Sequence, residues 1–131
     1  MPPILVRILL IAAAGACGSL ARYGLGGLVQ RLAGPAWPLG TWTVNILGSL
    51  LFGVVWAMSM ADERGIVISA EARIIILAGF MGAFTTFSTL SFETAQMLRD
   101  GQWVLAGANV GGQVVVGLAA VFVGMALGRL I

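Results

Sequence analysis

Residues 79–93 read GFMGAFTTFSTLSFE, and this stretch decides the fold of the chain. Two glycines are followed by five hydroxyl residues within seven positions, a composition that disfavours a continuous α-helix. The surrounding residues 74–92 contain no charge. At membrane depth, non-helical backbone persists only where it is buried in protein or lines a polar cavity. We therefore predict a transmembrane segment over residues 71–98, with a break within residues 82–86.

The rest of the chain has the composition of a membrane protein. Of its 131 residues, 60% are hydrophobic and 9% are charged, and the mean hydropathy is +1.03. A soluble domain carries about 25% charged residues. Charges are also absent from residues 8–21, 32–61 and 101–128. Since roughly 20 apolar residues cross a bilayer, the sequence predicts an all-α membrane protein with four transmembrane helices in a single domain, residues 1–131.

The other three helices are predicted over residues 4–28, 41–60 and 103–127. The last of them carries two Gly-xxx-Gly patterns, at residues 107–111 and 124–128. Small residues at this spacing let helix backbones approach closely in lipid. We therefore expect both patterns to mark helix contacts.

The predicted connections are short. Residues 62–65 form a polar loop, and Ser69 with the nearby Glu71 is suited to cap the third helix. Trp37, Trp42 and Trp103 lie near predicted helix ends, where aromatic belts occur.

The charged and sulfur-containing residues exclude several classes of protein. The seven cations are scattered arginines without a lysine, so a nucleic-acid partner is not expected. The absence of histidine and the single cysteine exclude a disulfide within the chain and the usual His/Cys metal site. The arginines divide almost equally between the two predicted sides, with Arg7, Arg64, Arg73 and Arg129 opposite Arg22, Arg31 and Arg99. Because arginine asymmetry normally fixes orientation, this balance predicts insertion both ways round.

Placing a polar side chain inside a bilayer costs free energy, so we expect each one there to have a structural or functional role. Those within the predicted helices are Arg22, Asn45, Thr85, Thr86, Ser88, Thr89, Ser91, Glu93, Asn109 and Gln113. By helical spacing, Asn109 and Gln113 share one face, and Thr85, Thr89 and Glu93 share another. Arg22 is equally suited to anchor the helix at the interface and to attract an anion to a pore mouth.

Most of these groups are uncharged donors, and Glu93 is the only carboxylate well inside a predicted helix. Uncharged donors suit a small anion that must lose its water without being trapped. The electropositive ring edges of Phe84 and Phe87, on either side of the expected break, suit it too. Each Ser or Thr alone is more simply bonded to its own backbone, and each Asn or Gln more simply joins two helices. Their concentration beside a broken helix still indicates a pore for a small polar or anionic solute.

Three ordered motifs resemble one known family. They are GAxGxxARY at residues 15–23, PxGTxxVNxxG at residues 38–48, and GFxGxFTTFST at residues 79–89 followed by Glu93. Together they resemble the CrcB/Fluc fluoride channels over nearly the whole chain. The resemblance implies a channel, not an enzyme: an antiparallel, dual-topology homodimer in the inner membrane. Two pores at the dimer interface would passively export cytoplasmic fluoride and so give fluoride resistance.

The resemblance also assigns residues. It implies a pore formed by Asn45, Phe87, Ser88, Thr89, Glu93, Asn109 and Gln113, with Arg22 at the vestibule. A structural sodium ion at the dimer axis would be held by the backbone carbonyls of Gly82 and Thr85. Two positions depart from the family pattern, since Leu90 replaces the usual second phenylalanine and Gln113 replaces a smaller hydroxyl residue. Both departures predict slower conduction or the transfer of a role to another donor.

The residues alone leave two alternative functions open. A small four-helix multidrug exporter would need a carboxylate in its first helix, and residues 8–21 have none. A membrane assembly subunit without transport would explain the Gly-xxx-Gly patterns but not the hydroxyl-rich break.

Overall fold

The computed structural model describes residues 3–60, 65 and 67–131, and its helices follow the predicted order. They are α1 (Ile4–Ala33), α2 (Leu39–Met58), α3 (residues 70–84), α4 (Phe87–Arg99) and α5 (Trp103–Gly128). Taken as one segment, Ala70–Arg99 joins α1, α2 and α5 as the four described stretches long and apolar enough to span a membrane. The four predicted spans are therefore confirmed. Most of the predicted polar loop, residues 62–64, lies outside the described residues.

The third span is broken where the hydroxyl-rich stretch predicted it. Thr85 (φ −87°, ψ 159°) and Thr86 (φ −147°, ψ 107°) are extended, so the helical hydrogen bonding stops between α3 and α4. Thr86 then caps α4, because its hydroxyl accepts a hydrogen bond from the Thr89 backbone N–H at 3.2 Å. Before the break, the Ile75–Met81 part of α3 is π-helical, a conformation frequent at functional sites.

Glycines set the contact between α2 and α5. A Cβ on Gly124 would overlap the Leu50 carbonyl oxygen, and one on Gly128 would lie 2.6 Å from the Val54 carbonyl oxygen. The predicted contact at residues 124–128 is therefore confirmed. Around Gly107 and Gly111, no atom of another described helix lies within 4 Å of such a Cβ, so the prediction for residues 107–111 is wrong within a single chain.

Glycines also place α3 and the break against their neighbours. Gly18 of α1 lies directly against the Phe80 carbonyl, so these two backbones touch. Gly48 of α2 faces the Thr85 methyl group, and a Cβ there would collide with it. The extended residues of the break therefore rest on α2 because position 48 has no side chain.

Polar contacts join the helix ends at one side of the bundle. Arg7 and Glu71 form an ion pair at 2.9 Å between α1 and α3. The Arg73 guanidinium lies 4.9 Å from the Trp56 ring centroid and donates to the Ser59 hydroxyl at 3.3 Å, which joins α3 to the end of α2. The Ser69 hydroxyl accepts from the Ala72 N–H at 3.2 Å, so the predicted cap of the third helix is confirmed.

At the opposite side, one side chain organises the α1–α2 connection. The Gln30 amide donates to the carbonyls of Gly34 (2.6 Å) and Trp37 (3.0 Å), and its oxygen accepts from the Gly40 N–H at 3.0 Å. The start of α2 is therefore fixed against the end of α1.

Candidate functional site

The break pairs with a side chain of α2. The Thr86 backbone N–H donates to Asn45 Oδ1 at 2.7 Å, and Asn45 Nδ2 donates back to the Thr86 carbonyl at 3.2 Å. In a continuous helix the Thr86 N–H would instead bond to the carbonyl of Gly82. The Asn45 amide thus replaces the missing helical partner and satisfies backbone groups that the break exposes.

Asn45 is also one end of a buried chain of amides. Its Nδ2 donates to Gln113 Oε1 at 2.8 Å, and Gln113 Nε2 donates to Asn109 Oδ1 at 3.1 Å. Asn109 is completely buried, and its Nδ2 donates to the Thr94 hydroxyl at 3.1 Å. The prediction that Asn109 and Gln113 share a face is confirmed.

Trp42 completes this chain. Its indole Nε1–H donates to Asn109 Oδ1 at 2.8 Å, and its ring occupies the space beside Gly112, where a Cβ would lie 2.5 Å from the ring. Trp42 was expected in an aromatic belt. Its N–H instead points into the bundle, whereas the Trp103 side chain, also expected there, is 70% exposed.

Two cavities of similar size have Thr86 in their walls. One, of about 320 Å³, is lined by residues that include Asn45, Thr85, Thr86, Phe87, Leu90 and Gln113. The other, of about 330 Å³, is lined by residues that include Arg22, Gln30, Thr41, Thr86, Thr89 and Glu93. Thr86, which is buried, lines both cavities. The break therefore forms part of the wall of both cavities.

Hydroxyl groups continue from the break into the second cavity. The Thr86 hydroxyl lies 2.9 Å from the Thr89 hydroxyl and 3.3 Å from the Ser88 hydroxyl. Farther along, Glu93 Oε1 accepts from the Thr41 hydroxyl at 2.5 Å. The other carboxylate oxygen of Glu93 is buried without a hydrogen-bond partner in the described part of the chain. The second cavity is therefore lined by the hydroxyl residues Thr41, Thr86 and Thr89, by Glu93 and by Arg22.

Thr85 does not share the face of Thr89 and Glu93. The two extended residues rotate it away, and its hydroxyl donates to the Met81 carbonyl at 3.0 Å. The prediction of a common face is wrong for Thr85, because it assumed a continuous helical turn across the break.

The aromatic residues beside the break separate into packing and exposed groups. Phe84 is buried and stacks on Phe80 with ring centroids 5.7 Å apart, so its predicted role toward an anion is not supported by its position. Phe87 is 76% exposed at the rim of the first cavity. Leu90, at the position where the resemblance implies a second phenylalanine, is buried and lines the same cavity.

The expected sodium ligands lie at the end of α3. Because the Thr86 N–H bonds to Asn45, it is not available to the Gly82 carbonyl, and Thr85 is extended. Such a helix end carries partial negative charge, and unwound carbonyls of this kind coordinate sodium in membrane proteins. The residues therefore fit a hard cation. In the described residues no group of three or more His, Cys, Asp or Glu side chains could hold a metal ion.

Four residues that form hydrogen bonds in or beside the site are not among the site residues predicted from the sequence. Thr41 lies in the quoted PxGTxxVNxxG motif, and Thr94 directly follows Glu93, so both could have entered the list of polar residues. Trp42 gave no such signal, because its partner Asn109 is brought to it only by the packing of helices distant in sequence. Gln30 gave none either, because neither its residue type nor its spacing marks it as the partner of Gly34, Trp37 and Gly40.

Comparisons with known proteins show the family of the chain. The family model described as "CrcB-like protein, Camphor Resistance (CrcB)" matches residues 9–125. The protein named "Fluoride-specific ion channel FluC" from Nitrosococcus oceani is 54% identical over 121 residues, which cover 92% of this chain and 94% of that one. Proteins of the same name from Nitratidesulfovibrio vulgaris and Solidesulfovibrio magneticus are each 50% identical, over 95% and 98% of this chain and 98% and 100% of theirs. The chain is thus a multi-pass membrane protein that belongs to the CrcB-like family.

Proposed function

We propose that the protein is a fluoride-selective channel, not an enzyme, and that it passively exports cytoplasmic fluoride across the inner membrane. The observation that carries the proposal is that Thr86 lines two cavities, at a broken helix with uncharged donors around it. Relatives that align over nearly their whole length are named as fluoride-specific channels. Export would protect the cell from fluoride.

The donors at the break match the chemistry of fluoride. Fluoride is small and accepts hydrogen bonds strongly, so hydroxyls of Thr86, Ser88 and Thr89 can replace its water at short range. Chloride is larger and accepts more weakly, and a narrow path therefore excludes it. The amino-terminal end of α4 adds partial positive charge beside these hydroxyls.

The Asn45 amide would contact the ion only by exchanging partners. Both of its N–H groups already have acceptors, the Thr86 carbonyl and Gln113 Oε1. A fluoride ion at Asn45 would replace one of these acceptors, which makes its binding favourable but weak. Conduction requires this balance between entry and exit.

The residues Phe87 and Leu90 are the basis for the rate of fluoride conduction that we expect. Phe87 can present an electropositive ring edge at the rim of the first cavity, whereas Leu90 has none. The second aromatic contact of the family pattern is therefore absent at residue 90, and conduction should be slower than in a relative with phenylalanine there. Asn109 and Gln113 contribute by holding the amide chain, and Arg22 by attracting the anion to the second cavity.

We further propose that the functional unit is an antiparallel homodimer with two pores. Phe87 is 76% exposed in the single chain, so a second copy is needed to close the first cavity. The near equality of arginines on the two sides supports insertion in both orientations. Two copies would also bring four carbonyls, those of Gly82 and Thr85 from each chain, to one sodium ion.

Efflux from liposomes tests the proposal. Proteoliposomes loaded with fluoride and chloride are diluted into a medium free of both ions, with valinomycin and potassium to balance charge. The protein should release fluoride rapidly and retain chloride. Release of neither ion would favour an assembly subunit, and proton-coupled movement of a lipophilic cation would favour a multidrug exporter; either result contradicts the channel.

A further inference from the structure

The hydrogen-bonded chain from Trp42 to Thr86 has a single possible direction. It runs from Trp42 Nε1–H to Asn109, then through Gln113 and Asn45 to the Thr86 N–H. An indole N–H and a backbone N–H can only donate. Both ends of the chain are therefore fixed donors, and the three carboxamides between them must be oriented to suit both.

The orientation follows step by step. Asn109 must turn Oδ1 toward the Trp42 N–H, and the same oxygen accepts from Gln113 Nε2. Gln113 then presents Oε1 to Asn45 Nδ2, which leaves Asn45 Oδ1 for the Thr86 N–H. A reversed Asn109 would place its amino group against the Trp42 N–H, and if Gln113 and Asn45 reversed with it, the Asn45 amino group would face the Thr86 N–H. The indole therefore selects at Asn109 the same orientation of the chain that the Thr86 N–H and carbonyl require at Asn45.

Trp42 exerts this influence from outside the path. It lines neither of the two cavities that Thr86 lines. Its ring instead forms part of the wall of an apolar groove between α2 and α5, of about 690 Å³, with Leu39, Ile46 and Val116 among its neighbours. Among such apolar neighbours an indole N–H keeps its partner, because losing it would leave a donor unsatisfied.

We propose that Trp42 is a positioning residue for conduction, acting through Asn109 and Gln113 to hold the Asn45 amide and the Thr86 N–H at the break. This inference rests on the proposed function, since it names a residue that determines the rate of that same path. It predicts that the indole N–H, not the bulk of the ring, is what conduction requires.

The test is Trp42→Phe, measured by fluoride efflux at less than one channel per liposome. The rate constant per conducting liposome should fall about tenfold, the effect of losing one hydrogen bond, while the fraction of liposomes that conduct stays unchanged. Trp103→Phe is the matched control, because the same change at an exposed indole should leave the rate constant at the wild-type value. An unchanged rate constant in Trp42→Phe, or a smaller conducting fraction at a wild-type rate, would overturn the inference.

A second variant covers the case in which Trp42→Phe does not fold. Replacing Trp42 by benzothienylalanine exchanges the N–H for sulfur and keeps the shape of the ring. It too should slow efflux about tenfold, and a wild-type rate would overturn the inference. Wild-type protein that moves no fluoride would instead refute the proposed function itself, so the two failures are distinguishable.

Discussion

Asn45→Asp should abolish fluoride efflux, lowering its rate on the order of a thousandfold. The new carboxylate would face the Thr86 carbonyl and Gln113 Oε1, two acceptors that Asn45 Nδ2 contacts at 3.2 and 2.8 Å. It would also place negative charge beside an anion's path. At about 4 Å and an effective dielectric constant near 20, like charges repel by roughly 4 kcal/mol, and about 1.4 kcal/mol is a factor of ten in rate. The rate is measured in proteoliposomes with a fluoride electrode.

The control for this variant is Gln102→Glu, the same amide-to-carboxylate change at the exposed start of α5. A carboxylate there faces water and the favourable end of a helix, so efflux should stay within about twofold of wild type. If Asn45→Asp conducts as fast as Gln102→Glu, the carboxamide does not lie on the path.

Gly124→Val should prevent α2 and α5 from packing. Any Cβ at this position overlaps the Leu50 carbonyl oxygen and lies 3.0 Å from the Val54 nitrogen. Both atoms belong to the backbone and cannot move aside as a side chain can, so the two helices must separate. Their separation should weaken the 2.8 Å hydrogen bond between Asn45 and Gln113. Overpacking of this kind costs about 3 kcal/mol. The expected result is a large fall in the temperature at which the purified protein loses its monodisperse peak in detergent.

Gly107→Val is the matched control for this packing prediction. It adds the same side chain to the same helix at a position where, among residues 3–60, 65 and 67–131, no atom of another helix lies within 4 Å of the new Cβ. The temperature at which the monodisperse peak is lost should stay near the wild-type value, because such a surface substitution changes the free energy of unfolding by no more than about 0.5 kcal/mol. Equal losses in both variants would mean that the α2–α5 contact does not depend on the close approach at Gly124.

The sequence was sufficient for the four helices and for the break. Long charge-free intervals have few interpretations other than transmembrane helices, and five hydroxyls after Gly82 disfavour a helix locally, with no need of tertiary information. Ser69 and Gly124 were also predictable, because capping and close packing depend on residue type at short range.

The orientation of side chains across the break was not predictable. Thr85 was placed with Thr89 because helical spacing assumes that each residue advances the chain by the same angle, and two extended residues remove that relation. Phe84 likewise packs on Phe80 instead of facing the path. The partnership of Trp42 and Asn109 joins residues 67 positions apart, and only the packing of α2 against α5 brings them together.

Cysteine modification along α4 tests the path most directly. In a Cys17→Ser background, Thr89→Cys places a thiol in the second cavity, and Ala95→Cys places one on an exposed part of the same helix. A cationic methanethiosulfonate reagent should suppress fluoride efflux through the Thr89→Cys protein and leave the Ala95→Cys protein at its initial rate. Unchanged efflux after complete modification at residue 89 would contradict a path along the hydroxyls of Thr86 and Thr89.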